Sequence, residues 1–302
     1  MKVLLAVDQL QDAQVAARFL EAVRLPRGTD LLIVHVIEVP HMAPRFPGQQ
    51  GMLADWRKAA VIGARRLIDR LVPPLRAQGL RVRSLVKEGL PGPGLLDTVE
   101  CTRADLTVLG PHGSSRLMRF LLGSVSEMLL NEAPGSILIV RGRPRGRQDR
   151  EMRAVLAMDF SKDAKGAAGF LSRLRLPRAS RVVLLHVEER ADRVLARISG
   201  MGRVDLSQAV EQAMRERKRR TLLMLERMGR KFSQNGLVVD HVFADGDPAE
   251  AILRAGERHR ADLIVMGSKG LTGLDRYLLG SVSRKVARHA PCSVLVVRNR
   301  RR

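Results

Sequence analysis

Two short stretches of this chain combine residues able to hold an anion. The first is Gly110-Pro111-His112-Gly113, followed after nine residues by Gly123-Ser124. The second is Gly267-Ser268-Lys269-Gly270, followed after nine residues by Gly280-Ser281. Glycine lets a backbone come close to a ligand and reach positive φ. Each closing Gly-Ser opens a helical pattern, SVSEMLL or SVSRKVA, whose first N–H groups have no partner within the helix and sit at the positive end of its dipole. That arrangement suits phosphate oxygens. Ser124, Ser126, Ser281 and Ser283 add hydroxyls, and Val125 and Val282 lie between them on the same turns. His112 and Lys269 occupy the same place in the two loops, and only the lysine brings a fixed charge. Pro111 stands where the second loop has Ser268 and lacks an N–H. Neither loop is a Walker motif, which requires Gly-Lys-Ser/Thr after four variable residues, and neither is GxGxxG. No general base, metal-ligand spacing or Ser-His-Asp arrangement accompanies them. The chemistry expected is therefore phosphate binding without a strong catalytic cycle.

The elements that position these loops repeat. Apolar runs ending in Asp8 and Asp159 are each followed, 27 residues on, by His35 and His186 inside further apolar runs. Gly89 precedes Gly110 by 21 residues, as Gly246 precedes Gly267, and Pro134 and Pro291 each lie 11 residues after the Gly of the Gly-Ser pair. A six-residue insertion between His186 and Gly246 is the only break in register. The organisation expected is a domain over 1–142, an Arg/Gly/Pro linker over 143–150, a second domain over 151–298 and a basic tail over 299–302. Strands are expected at about 2–7, 31–37, 81–86, 105–109 and 136–140, and at about 153–158, 181–187, 237–243, 262–266 and 293–297. Helical patterns include Asp12–Val23, Leu53–Gln78, Leu95–Thr102 and Val125–Asn131. Near-continuous apolar strands alternating with helices imply parallel sheets covered on both faces. The fold class is α/β, two tandem open five-stranded parallel sheets of order 3-2-1-4-5, flavodoxin-like. A ligand then belongs beyond the carboxyl ends of strands 1 and 4, where the order reverses. The apolar last strands, 136–140 and 293–297, are edges that invite pairing. The expected result is an internal pseudo-dimer, with a homodimer as a further assembly left open.

Both loops match the Gly-x2-Gly-x9-Gly-Ser/Thr pattern of ATP-binding universal stress proteins, and nearly the whole chain resembles a tandem member of that family, with its adenine nucleotide alpha hydrolase-like fold. The resemblance implies ATP as ligand, with ADP or AMP as alternatives and Mg2+ accompanying ATP. It implies that Asp8 and Asp159 contact the adenine or ribose end. Val36 and Val187 would line the adenine pocket, and Gly110, Gly113, Gly123, Gly267, Gly270 and Gly280 would hold ribose and phosphates. The second copy, with MDFSKDA, is closer to the family's Asp-x-Ser opening than the first, with VDQLQDA, and is expected to bind nucleotide more tightly.

Other residues carry blander readings. His35 and His186 are expected as packed or hydrogen-bonded histidines, and Cys101 and Cys292 as buried thiols. The irregular segments 41–55 and 190–210 are expected as loops. Asp247, with Pro248 after it, reads as the start of a helix. The net charge is +22, with residues 1–142 holding 18 Lys/Arg against 13 Asp/Glu and residues 151–297 holding 27 against 17. Such a surface attracts phosphate-rich partners. No nucleic-acid motif or interleaved aromatics accompany it, so nucleic-acid or anionic-surface binding is an alternative to the nucleotide reading. Weak ATP hydrolysis or adenylyl transfer is another. With no signal peptide pattern, no apolar stretch of membrane-spanning length and no cysteine framework, the chain reads as soluble and cytoplasmic.

Overall fold

The computed structural model describes residues 1–38, 49–110, 122–142, 151–188, 207–270 and 279–299. The first half runs β1 (Lys2–Ala6), α1 (Leu10–Val23), β2 (Asp30–Ile37), α2 (Gln49–Ala77), β3 (Arg81–Glu88), α3 (Pro91–Thr102), β4 (Leu106–Leu109), α4 (Ser124–Glu132) and β5 (Ser136–Ile139). The second repeats it as β6 (Arg153–Ala157), α5 (Lys162–Arg173), β7 (Arg181–Glu188), α6 (Ser207–Gln234), β8 (Val238–Asp245), α7 (Pro248–Arg258), β9 (Leu263–Gly267), α8 (Ser281–His289) and β10 (Ser293–Val297).

Each half is parallel with the order expected, and the two are fused into one ten-stranded sheet, β3-β2-β1-β4-β5-β10-β9-β6-β7-β8. The join is the antiparallel pairing of the two final strands, with Val294 opposite Ile139, Leu295 opposite Leu138 and Val296 opposite Ile137. Neither apolar edge is then left open. Because successive strand residues point to opposite faces, the sheet carries two apolar layers. One joins Phe19 and Leu20 of α1, Ile68 and Leu75 of α2, Phe170 and Leu171 of α5 and Phe232 of α6. The other joins Val99 of α3, Leu129 of α4, Ile252 of α7 and Val286 of α8. Each layer is continuous across the join, so the halves share their core.

Arginines lock the join. Arg141 sends Nη1 to the carbonyl of Ala290 (2.6 Å) and Nη2 to those of Ala287 (2.6 Å) and Arg288 (3.1 Å). These carbonyls end α8, where no intrahelical donor remains. Arg298 does the same to the end of α4, donating to Ala133, Leu130 and Asn131. Each arginine follows the last strand of one half and caps a helix of the other. Burial pushes both guanidinium pKa values down from the ordinary value. Arg288 and Glu127 add an ion pair between α8 and α4.

Several boundaries differ from expectation. Residue 49 already starts α2 and residue 207 already starts α6, so the loops expected over 41–55 and 190–210 are partly helical. Residues 39–48 and 189–206 lie outside the described residues, as does the linker 143–150. The third helix starts at Pro91 rather than Leu95. Proline is compatible with a first turn, whose N–H groups are unbonded anyway. Cys101 is exposed, not buried as expected, because it lies on the outer side of α3. Its Sγ donates to Asp97 Oδ1, and that bond raises the thiol pKa. Cys292 is buried.

Candidate functional site

The sheet order reverses between β1 and β4 and between β6 and β9, and every described residue of the two loops lies at those carboxyl ends. At β1–β4 the surface opens into a cavity of about 620 Å³. Asp8, Gln9, Val36, Gly110, Val125 and Ser126 line it, as do Trp56, Pro91 and Leu95. That volume is in the range of small-molecule sites. Pro111, His112 and Gly113 lie outside the described residues. Trp56, the only tryptophan of the chain, reaches this wall from α2; nothing in its spacing pointed there.

The helices that start at the two Gly-Ser pairs have no side-chain cap, as is also true of α1 and α3 in the first half. Gly123 and Gly280 occupy the N-cap positions of α4 and α8 in extended conformation, and no side chain caps either helix. In contrast, Ser161 caps α5 by accepting from Ala164 N, and Asp247 caps α7 by accepting from Glu250 N. Glycine has no side chain with which to cap, so the first-turn N–H groups of α4 and α8, at Ser124, Val125, Ser281 and Val282, are left for another acceptor. Ser126 and Ser283 are buried in those turns. Ser283 Oγ donates to the carbonyl of Gly267 at 2.8 Å, so its proton ties α8 to the exit of β9.

Close approach explains the first glycine of each loop. A Cβ on Gly267 would lie 2.7 Å from the carbonyl carbon of Asp163 and 2.8 Å from Ala164 N, both in the first turn of α5. On Gly110 it would lie 3.2 Å from the carbonyl oxygen of Asp12. A Cβ on Gly270 would lie 2.9 Å from Asp159 Oδ2, which places that carboxylate against the glycine loop. Asp159 Oδ1 accepts from Ser161 N (2.9 Å), and Ser161 Oγ donates to the carbonyl of Lys269 (3.4 Å). Ser268 Oγ donates to Asp163 Oδ2 at 2.7 Å. The second half thus ties strand 1, the next helix and the loop together. In the first half, Gln9 makes no side-chain cap on α1, and Pro111 has no hydroxyl to offer.

The strand histidines hold these exits in place. His35 Nδ1 bonds the carbonyl of Val7 (2.9 Å) and His186 Nδ1 that of Met158 (2.6 Å), each one residue before the aspartate. A carbonyl only accepts, so Nδ1 carries the proton. His186 Nε2 and Glu188 Oε1 are buried without hydrogen bonds, 3.7 Å apart, and Ile37 occupies the position of Glu188 in the first half. Val187 follows His186 as Val36 follows His35, and a Cβ on Gly94 would lie 3.4 Å from Val36. Among the described residues no group of three His, Cys, Asp or Glu could hold a metal ion, and no helix is long and apolar enough to cross a membrane.

The family model for the universal stress protein family matches residues 1–141 and again 152–298. Universal stress protein YxiE of Bacillus subtilis is 32% identical over 145 residues, covering 48% of this chain and 95% of that protein. A universal stress protein of Mycolicibacterium smegmatis is 26% identical over 307 aligned positions, 99% of this chain and 97% of the relative. The crystal structure of a universal stress protein from Archaeoglobus fulgidus superposes with a TM-score of 0.68 at 21% identity, covering 98% of each chain.

Proposed function

The chain belongs to the universal stress protein family, and on that premise we propose that it is an adenine-nucleotide-binding regulatory protein of two domains, 1–142 and 151–298. The observation that carries this reading is the pair of glycine-capped helix starts, α4 and α8, at the two points where the strand order reverses. Uncapped N–H groups at a helix start are an anion site, and at α4 they adjoin a cavity wide enough for a nucleotide. Asp8 and Val36 would face the base and ribose, with Gly110, His112, Gly113, Gly123, Ser124, Val125 and Ser126 about the phosphates. Asp159, Val187, Gly267, Lys269, Gly270, Gly280, Ser281 and Val282 would do the same in the second half, with Ser283 positioning the helix. The bound group supplies negative charge and a planar base. The chain's own residues orient it and bias the protein's stability or partner choice through binding. Mg2+ would enter with the phosphates of ATP rather than by a protein cage. The second site, with its bonded Asp159–Ser161–Lys269 network, is the tighter of the two. Two free cysteines suit a reducing cytoplasm.

Mass spectrometry of small molecules released from the purified protein, with titration of ATP, ADP and AMP, tests the proposal. Gly113→Arg should remove the first site and Gly270→Arg the second, with the larger loss from the latter. A protein that releases no adenine nucleotide and shows no titration with any of the three would rule the reading out. Equal losses from the two substitutions would refute the ranking.

A further inference from the structure

The charge of this protein is sorted by face. The helices α1, α2, α5 and α6 all pack on one side of the sheet, and together they carry 18 Lys/Arg against 8 Asp/Glu. The helices α3, α4, α7 and α8 pack on the other and carry 5 against 6. A compositional excess of arginine spread without regard to structure would charge both faces. All 18 basic residues of the first face are exposed. Ion pairs engage Arg57 with Glu88, Arg217 with Glu188 and Arg220 with Glu216, so acidic neighbours offset only part of the excess.

The same face exposes large apolar side chains in a regular relation to the charges. Ile62 is half exposed and lies four residues after Lys58 and four before Arg66 on α2. Leu223, also half exposed, lies four residues after Arg219 and four before Arg227 on α6, and Met224 lies four after Arg220. Residues four apart are neighbours on a helix surface. Each apolar side chain is therefore flanked along its helix by cations. The two helices have 29 and 28 residues, roughly 40 Å each at 1.5 Å per residue, and their inner sides are already committed to the core.

From this sorting we propose that the α1/α2/α5/α6 face is a peripheral docking surface for an anionic phospholipid bilayer. Arginine and lysine engage the headgroup phosphates, while Ile62, Leu223 and Met224 enter the boundary between headgroups and acyl chains. Charge complementarity selects an anionic partner. The interleaved apolar side chains select lipid over nucleic acid, whose backbone offers them nothing to enter. The first-half cavity opens at the carboxyl edge of the sheet and is walled in part by Trp56, Ala60 and Gly63 of α2, so this surface borders it, whereas Leu223 and Met224 of α6 line no part of that cavity.

Flotation of the full chain with phosphatidylcholine vesicles, with and without phosphatidylglycerol, tests the assignment. Wild type should float only with phosphatidylglycerol present. Arg219→Glu with Arg227→Glu should lower binding about tenfold or more, whereas Arg254→Glu with Arg258→Glu on α7, an equal change of net charge on the other face, should leave it nearly unchanged. Leu223→Gln with Met224→Gln, which leaves the charge intact, should weaken binding several-fold. Equal losses from the two arginine pairs would mean that net charge alone attracts the vesicles, and would overturn the proposal. So would unchanged flotation of the glutamine variant together with displacement of vesicles by duplex DNA, which would give the face to nucleic acid.

Discussion

Replacing Arg141 by alanine removes three hydrogen bonds from one guanidinium to the last carbonyls of α8. Hydrogen bonds to charged groups contribute about 1.5–3 kcal/mol each in net terms, and a cation at a helix C-terminus adds about 0.3–1 kcal/mol. Two of the bonds are part-buried and the third is exposed, so water can replace some of what is lost. The expected cost is about 2–4 kcal/mol, at the upper side of single-residue effects. Arg298→Ala should cost a similar amount, because its contacts with the end of α4 mirror those of Arg141. Lysine can place one charge there but not the planar fork, so Arg141→Lys should recover about half. Arg254, which among the described residues pairs with Glu250 on its own exposed helix surface, serves as the control and should change stability by no more than about 0.5 kcal/mol when made alanine. Urea unfolding followed by far-ultraviolet circular dichroism gives the differences through the midpoint and slope. If Arg141→Ala and Arg254→Ala cost the same, the reciprocal caps do not hold the halves together, and the argument fails.

Gly267→Ala should cost about 1–3 kcal/mol through overpacking against the backbone of α5, and Gly110→Ala less, since its Cβ meets only Asp12 at 3.2 Å; thermal unfolding of the two variants gives the order. Asp247 accepts from Glu250 N and lies near Lys285, and the backbone bond, chiefly, lowers its carboxyl pKa. A lowered folded-state pKa means stability that is present above the unfolded value and lost as pH falls through the folded one. Asp247→Ala should therefore cost about 1 kcal/mol at neutral pH, and the gap to wild type should close as pH drops below roughly 4. Trp56 lines the first-half cavity, so ATP should change its emission in wild type and in Gly270→Arg but not in Gly113→Arg. An unchanged response in Gly113→Arg would separate the tryptophan from that site.

Much of this architecture is written locally. The strand runs follow from apolar periodicity, the 27- and 21-residue intervals from the repeat, and the parallel sense from the rule that parallel crossovers need a helix, while the order of strands is an expectation taken from the flavodoxin-like class. The prolines at 73 and 74 do not end α2, because Leu71 and Leu75 are buried against the sheet and packing outweighs propensity. The helix start at Pro91 was obscured by the Pro-Gly-Pro-Gly run, which reads as a turn unless the following residues have a surface to pack on. The glycine loops were legible as motifs, since twofold recurrence of one spacing is a statement about sequence alone. Their surroundings were not: Trp56, Pro91 and Gln9 reach the cavity from separate elements, and no spacing links them.

The arginines after the two final strands show where the boundary falls. Matching places for Arg141 and Arg298, seven residues after Pro134 and Pro291, are legible along the chain, as are the apolar edges, the two glycine loops and the total charge. That each arginine caps a helix of the opposite half, that a single core runs through both and that the cations gather on one face emerges with the folded arrangement. The physical reason is that periodicity and motif spacing are properties of neighbouring residues. Carbonyl ends, seams and surface fields exist only once distant elements are brought to within a hydrogen bond of one another.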